Sequence, residues 1–244
     1  MNKRPVSYLQ TDPRWKDKPY RVPGESSTVG SAGCGPSCAA MVIETITGQK
    51  FTPEDACNWA MQHGYKALNQ GTYYSYFRPQ LAAFGIDCDM LNWTNTYGKP
   101  NHENHQKALR MLQEGYYLIA LMNKGTWTSS GHFILVWWAD GKIRINDPAS
   151  TRDARVNGNP YDFRSEVKYY WWVDARAYNK EEDDTMTGEE IYKALQEYLG
   201  AQPAPDWAQA ELQEAVALGI TDGSRPMELI PRYQAAIMAK RAVR

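Results

Sequence analysis

Cysteine, histidine and aspartate together can perform acyl transfer, and this chain carries them at positions where local structure makes the chemistry plausible. Cys34 follows the small residues Ala32 and Gly33 and opens the run Cys34-Gly35-Pro36-Ser37-Cys38-Ala39-Ala40-Met41-Val42-Ile43-Glu44. Proline near the first helical position, then helix formers without a breaker until Gly48, predicts a helix starting at Cys34. The partial positive charge and unpaired N–H groups of a helix N-terminus favour thiolate, the nucleophilic form of cysteine. Taken alone, a cysteine in an apolar helix is more often a small core residue, and Cys38, one turn deeper on the same face, is expected to be one.

A thiolate needs a base, and the base needs an acceptor to orient it. The four histidines are His63, His102, His105 and His132. His132 begins the β-prone run His132-Phe133-Ile134-Leu135-Val136-Trp137-Trp138, and Ile143-Arg144-Ile145-Asn146 returns after Asp140-Gly141, a two-residue hairpin dipeptide. With that turn, Asp147 falls opposite Ile134. Residues 132 and 134 share a sheet face, so His132 and Asp147 become diagonal neighbours within side-chain reach, roughly 7–8 Å apart at the backbone. Without Cys34 the same pair reads equally as a polar rim at a strand end. An oxyanion would need donors; the Cys34 backbone N–H is one, and the Gln10 carboxamide is a candidate for another. His102-x-x-His105 lacks the spacing of a metalloprotease helix, so no metal site is read there.

Gln10-x-Asp12-Pro13-x-Trp15, Gly33-Cys34-Gly35-Pro36-Ser37-Cys38-Ala39-Ala40-Met41-Val42, Gly131-His132-Phe133-Ile134-Leu135-Val136 and Asn146-Asp147-Pro148 together resemble the bacteriocin-leader-peptidase-like group of papain-like cysteine peptidases. The resemblance spans about residues 5–175. It implies a papain-like fold with Cys34 as nucleophile, His132 as general base and acid, Asp147 as its orienting partner and Gln10 in the oxyanion hole. Gly33, Gly131, Tyr74 and Trp127 are the expected substrate-binding positions. The offset of 24 positions from Gln10 to Cys34 exceeds the spacing of the transporter-linked leader peptidases, which argues against leader processing.

The fold class expected is α+β. Helices are predicted from Cys34 to Gly48, Thr52 to Gln62, Tyr76 to Ala83 and His105 to Gln113, and strands over 116–122, 132–138, 143–146 and 167–173. The Ser/Gly stretch before Gly33 reads as irregular lead-in. Residues 1–178 carry a net charge of +4 and residues 179–244 one of −5. The shift divides the chain into a peptidase domain (1–178), an acidic linker (179–186) containing Glu181-Glu182-Asp183-Asp184, and a three-helix module (187–244). Within that module Trp207-Ala208, Gly219-Ile220-Thr221-Asp222-Gly223 and Arg232-x-x-Ala235-Ala236 resemble one S-layer-homology repeat, which implies cell-wall attachment; a helical packing or dimerisation unit fits the pattern as well.

The 244 residues are 43% hydrophobic and 23% charged, with nine Trp, sixteen Tyr and a net charge of −1. Those values exclude a wholly disordered chain and argue against a dedicated nucleic-acid binder. A mean hydropathy of −0.63 and the lack of a ~20-residue apolar run argue against membrane insertion. No cofactor is signalled. No apolar stretch follows the basic N-terminus, so no secretory signal is read. The function expected is a cysteine endopeptidase of bacterial peptidoglycan, of the phage or prophage lysin type, made in the cytoplasm and acting in the wall after release. A peptidase of other proteins and a catalytically silent binding protein are the alternatives.

Overall fold

The computed structural model describes residues 2–91, 102–180, 188–227, 235 and 239–240. The chain divides into two compact units, 1–182 and 183–244. In the first, five antiparallel strands form one sheet in the order β1-β5-β2-β3-β4: β1 Cys88–Met90, β2 Tyr117–Met122, β3 His132–Ala139, β4 Lys142–Asn146 and β5 Val167–Val173. The helices are α1 Val29–Ala32, α2 Cys34–Thr47, α3 Pro53–Gln62, α4 Phe77–Ala82, α5 His102–Gln113, α6 Asp153–Val156, α7 Pro160–Glu166 and α8 Arg176–Lys180.

The apolar runs of β2 and β3 are explained by burial of the sheet on both faces. Tyr117, Ile119 and Leu121 of β2 and Phe133 and Leu135 of β3 face one core with Met41, Phe77 and Leu81 from α2 and α4. The alternate residues Leu118, Ala120, Met122, Ile134 and Val136 face a second core with Ala108 and Leu112 of α5 and Phe163 of α7. Successive strand side chains point to opposite faces, so covering both makes the whole run hydrophobic. Helices therefore occupy both faces of the sheet.

Helix α2 begins and ends where its sequence dictates. Gly33 is its N-cap, Pro36 sits in its first turn, and Gly48 closes it at φ 69°, the left-handed conformation favoured at a helix C-terminus. Helix α3 opens with a capping box between Thr52 and Asp55 and Pro53 in its first turn. The Ser/Gly stretch expected to be irregular instead forms the single turn α1, held by a reciprocal Thr28–Ser31 cap. Strand β1 had no sequence signal: it is three residues long with Asp89 at its centre, and forms by pairing Asp89 with Trp172 of β5.

The β3–β4 hairpin follows the predicted register. Leu135 pairs with Asn146, Trp138 with Ile143 and Ala139 with Lys142. Asp140 and Gly141 both take positive φ, 53° and 73°, as the two central residues of a type I′ turn require. The N-terminal segment is tied to this hairpin: Asn146 Nδ2 donates to the carbonyls of Pro5 and Val6, and the Gln10 N–H donates to Pro148 O at 2.7 Å.

In the second unit, α9 Gly188–Gly200 and α10 Asp206–Ala217 are described. Asp206 is the first residue of α10, and Pro205 precedes it as N-cap. The third predicted helix lies almost wholly outside the described residues, as do Thr187 and the acidic run. No helix among the described residues is long and apolar enough to cross a membrane.

The hairpin turn generates a prediction. No atom lies within 4 Å of a Cβ placed on Gly141, so Gly141→Val costs only backbone strain, about 1–2 kcal/mol. Urea unfolding should show that loss, with a wild-type m-value.

Candidate active site

The register of the hairpin brings His132 and Asp147 together. His132 Nε2 lies 2.7 Å from Asp147 Oδ1, with both side chains almost fully buried. The Ala149 N–H donates to the same oxygen at 2.8 Å, fixing the carboxylate within the tight turn that follows β4. His132 is the first residue of β3, at the end of the strand against which α2 packs. Its ring also lies close enough to the Cys34 thiol for each to shift the other's proton affinity. Because Nε2 is engaged by Asp147, Nδ1 is the nitrogen left for sulfur.

The electrostatics separate Cys34 from the other cysteines. Burial of its sulfur opposes ionisation, but the His132 hydrogen bond and charge, and the N–H groups of Phe133 and Gly35, outweigh it and lower the thiol below its ordinary value. Burial first, and neighbouring negative groups second, push Cys38 and Cys57 well up, and Cys88 up with them. Burial also disfavours a charged His132, yet Asp147 and Cys34 prevail and push it up to about 9. A lowered thiol beside a raised imidazole favours the thiolate–imidazolium pair over two neutral groups. Cys34 is also half-buried where the other three cysteines are buried.

Cys34 opens onto a cleft of about 380 Å³ whose walls include Gln70, Gly71, Tyr74, Ser130, Gly131 and Phe133. Tyr74 and Gly131 thus lie where a substrate would pass. Tyr74 is partly exposed and packs edge-on against Phe133, Tyr169 and Trp171.

Gly33 and Trp127 do not line this cleft, and the structure corrects their expected role. A Cβ on Gly33 would lie 2.5 Å from the Val29 carbonyl oxygen, so the residue is glycine because the α1–α2 junction leaves no room. Trp127 is only 2% exposed, lies edge-on to Phe163, and donates its indole N–H to Arg155 O. It belongs to the second core. Gln10 is buried; its Nε2 donates to Gly30 O at 2.7 Å, while its N–H binds Pro148 O. It therefore sits between the turn that carries Asp147 and the short helix that leads into Cys34. His105, buried against the Tyr170 hydroxyl, is drawn down to about 4 by burial and the charges of Arg164 and His102, as suits a core histidine.

Two features had no sequence signal. One is a fully buried ion pair, Lys66 with Glu25 at 2.7 Å. Lys66 Nζ also donates to the carbonyls of Ala67 and Gln70, and Glu25 accepts the Asn69 N–H. The Lys66 hydrogen bond holds the Glu25 carboxyl down at about 2. This pair pins from within the loop whose residues 69–72 form one wall of the cleft. The other is Arg155, whose Nε lies 2.5 Å from Asp147 Oδ2.

A cysteine at a helix N-terminus, facing a histidine on an antiparallel sheet packed against that helix, defines a papain-like cysteine peptidase-type domain. Residues 14–180 match the model of the Peptidase_C39 like family; the match covers well over half of the chain, and the chain belongs to that family. No curated protein matches it.

The geometry predicts selective reactivity. Iodoacetamide at pH 6–8 should modify Cys34 at least about tenfold faster than the other three thiols, as peptide mapping by mass spectrometry will show. Equal labelling would contradict the charge state described. Lys66→Met, which strands the Glu25 carboxylate, should lower the Tm by several degrees and open the 66–72 loop to limited proteolysis.

Proposed function

We propose that this protein is a cysteine endopeptidase that hydrolyses peptide bonds of bacterial peptidoglycan through Cys34, His132 and Asp147. The observation that carries the catalytic part is an imidazole that bonds a carboxylate at 2.7 Å and is electrostatically coupled to a thiol lining an open cleft. The Cys34 thiolate attacks the scissile carbonyl carbon and forms the C–S bond. The oxyanion takes a hydrogen bond from the Cys34 N–H; Gln10 Nε2 gives one amide hydrogen to Gly30 O and would have only its second one for the oxyanion. His132 gives its proton to the amine as the C–N bond breaks, leaving an acyl-enzyme. It then takes a proton from water, whose oxygen attacks the acyl carbon and expels the thiolate. Asp147 holds the ring in the orientation both steps need.

The wall as substrate is supported by the resemblance of the cysteine and histidine blocks to lysin peptidase domains, by the positive charge of residues 1–178, and by the S-layer-homology-like pattern in 187–244. In the second unit Trp207, Tyr198 and Ile220 are each more than 60% exposed, which suits attachment to a wall polymer or self-association. The protein would act in the wall after release from the cell that makes it.

Fragments released from purified peptidoglycan, analysed by mass spectrometry, test both parts. Wild type should free new amino termini. Cys34→Ala should free none, and Asp147→Asn should be slowed about 10²-fold or more. Cleavage of unfolded protein with intact peptidoglycan would replace the wall by a protein substrate. Equal release by Cys34→Ala and wild type would overturn the nucleophile.

A further inference from the structure

Asp147 is held from two sides, and only one of them belongs to the proposed triad. Its Oδ1 accepts from His132 Nε2 and from the Ala149 N–H. Its Oδ2 is fully buried and faces the guanidinium of Arg155 on α6. Nε is 2.5 Å away, but its N–H is not aligned on the oxygen, so the contact is an ion pair rather than a directed hydrogen bond. Arg155 is itself anchored: Nη2 donates to Trp127 O at 2.6 Å, and the Trp127 indole N–H donates back to Arg155 O at 2.9 Å. The anchor is tightly packed. Trp127 is buried in the second core, and a Cβ on Gly158 would lie 2.6 Å from its ring.

We propose that Arg155 is a positioning residue of this site: its guanidinium fixes the Asp147 carboxylate with Oδ1 toward His132, and its charge sets the pH range over which the thiolate–imidazolium pair persists. The proposal rests on the triad reading above and deepens it. Two cations share one carboxylate, so each draws less from it than it would alone. Thiolate, imidazolium, carboxylate and guanidinium together sum to zero charge, which suits a buried cluster.

The surrounding charged groups do not duplicate this role. Arg144 of β4 is engaged by Asp140 at 2.7 Å and by Asn157 at 2.6 Å. Arg4, from the N-terminal segment, lines with Arg144 and Asp140 the cavity of about 420 Å³ on the outer side of Asp147 and is itself exposed. On the inner side, Cys34 and His132 are the charged pair itself, and Cys38 stays a neutral thiol because burial raises it. Arg155 is the cation in contact with Oδ2.

The sign follows from electrostatics. Removing a positive charge raises the proton affinity of every group within its reach. Both transitions of the cysteine, thiolate formation and imidazolium deprotonation, must then move to higher pH together. Loss of a merely structural contact slows the reaction without moving them in step.

The test is the rate of Cys34 alkylation by iodoacetamide as a function of pH, in the full-length protein, with thermal unfolding as the check on folding. Wild type should show two transitions, both absent from Cys34→Ala. Arg155→Gln should shift both upward by about one pH unit. Arg155→Lys keeps the charge and gives up the planar fork, and should leave both within about 0.3 unit of wild type while alkylating more slowly. Unshifted transitions in Arg155→Gln overturn the proposal, as does an upward shift in Arg155→Lys; the lysine variant decides alone should the glutamine variant not fold. A wild type without a fast Cys34 phase would instead overturn the triad reading, so the two failures are distinguishable.

Discussion

A two-residue turn fixes where the carboxylate stands. Asp140 and Gly141 both accept positive φ, and that tight reversal pairs Leu135 with Asn146. Asp147, one residue farther, is thereby delivered to the end of the sheet where His132 begins β3. A slip of one residue would turn Asp147 to the opposite face, leaving the imidazole without its acceptor and Cys34 without a charged partner. The chemistry of the site depends on this register more than on any single contact within it.

The rest of the domain serves that arrangement by bringing the thiol to the same place. Met41 and Val42 of α2 share a core with Phe133 and Leu135 of β3, so the helix's first turn meets the strand's first residue. Gly35, directly after the thiol, lets that turn pack against Thr72 and Phe133, which a Cβ would approach to 3.2 and 3.3 Å. Thr72 is in turn hydrogen-bonded to the buried Tyr20 hydroxyl at 2.6 Å. The cleft wall on that side is therefore fixed twice, by this contact and by the Lys66–Glu25 pair.

What could be read in the sequence was what depends on local pattern. Helix α2, its stop at Gly48, the hairpin and its register, and strand β5 follow from capping, turn chemistry and apolar runs. The pairing of His132 with Asp147 followed from the turn alone. What could not be read depends on partners distant in the chain. Strand β1 exists because Trp172 pairs with Asp89. Arg155 lies in a short helix without periodicity, and nothing local marks it as facing Asp147. Lys66 and Glu25 are 41 positions apart. Nothing local marks Trp127 as buried; its burial depends on Phe163 and on the space Gly158 leaves. The need for glycine at position 33 is equally hidden, because it comes from the close approach of Val29 O at a helix junction.

The central claim is that Cys34 and His132 exist as a charged pair at neutral pH. An ultraviolet titration of the thiolate band measures this directly, in wild type, Cys34→Ala and His132→Ala. Thiolate absorbance should already be present in wild type at pH 7 and absent from both variants. If absorbance in wild type emerges only near the ordinary cysteine value of about 8.5, as it would for an unpaired thiol, the account is contradicted.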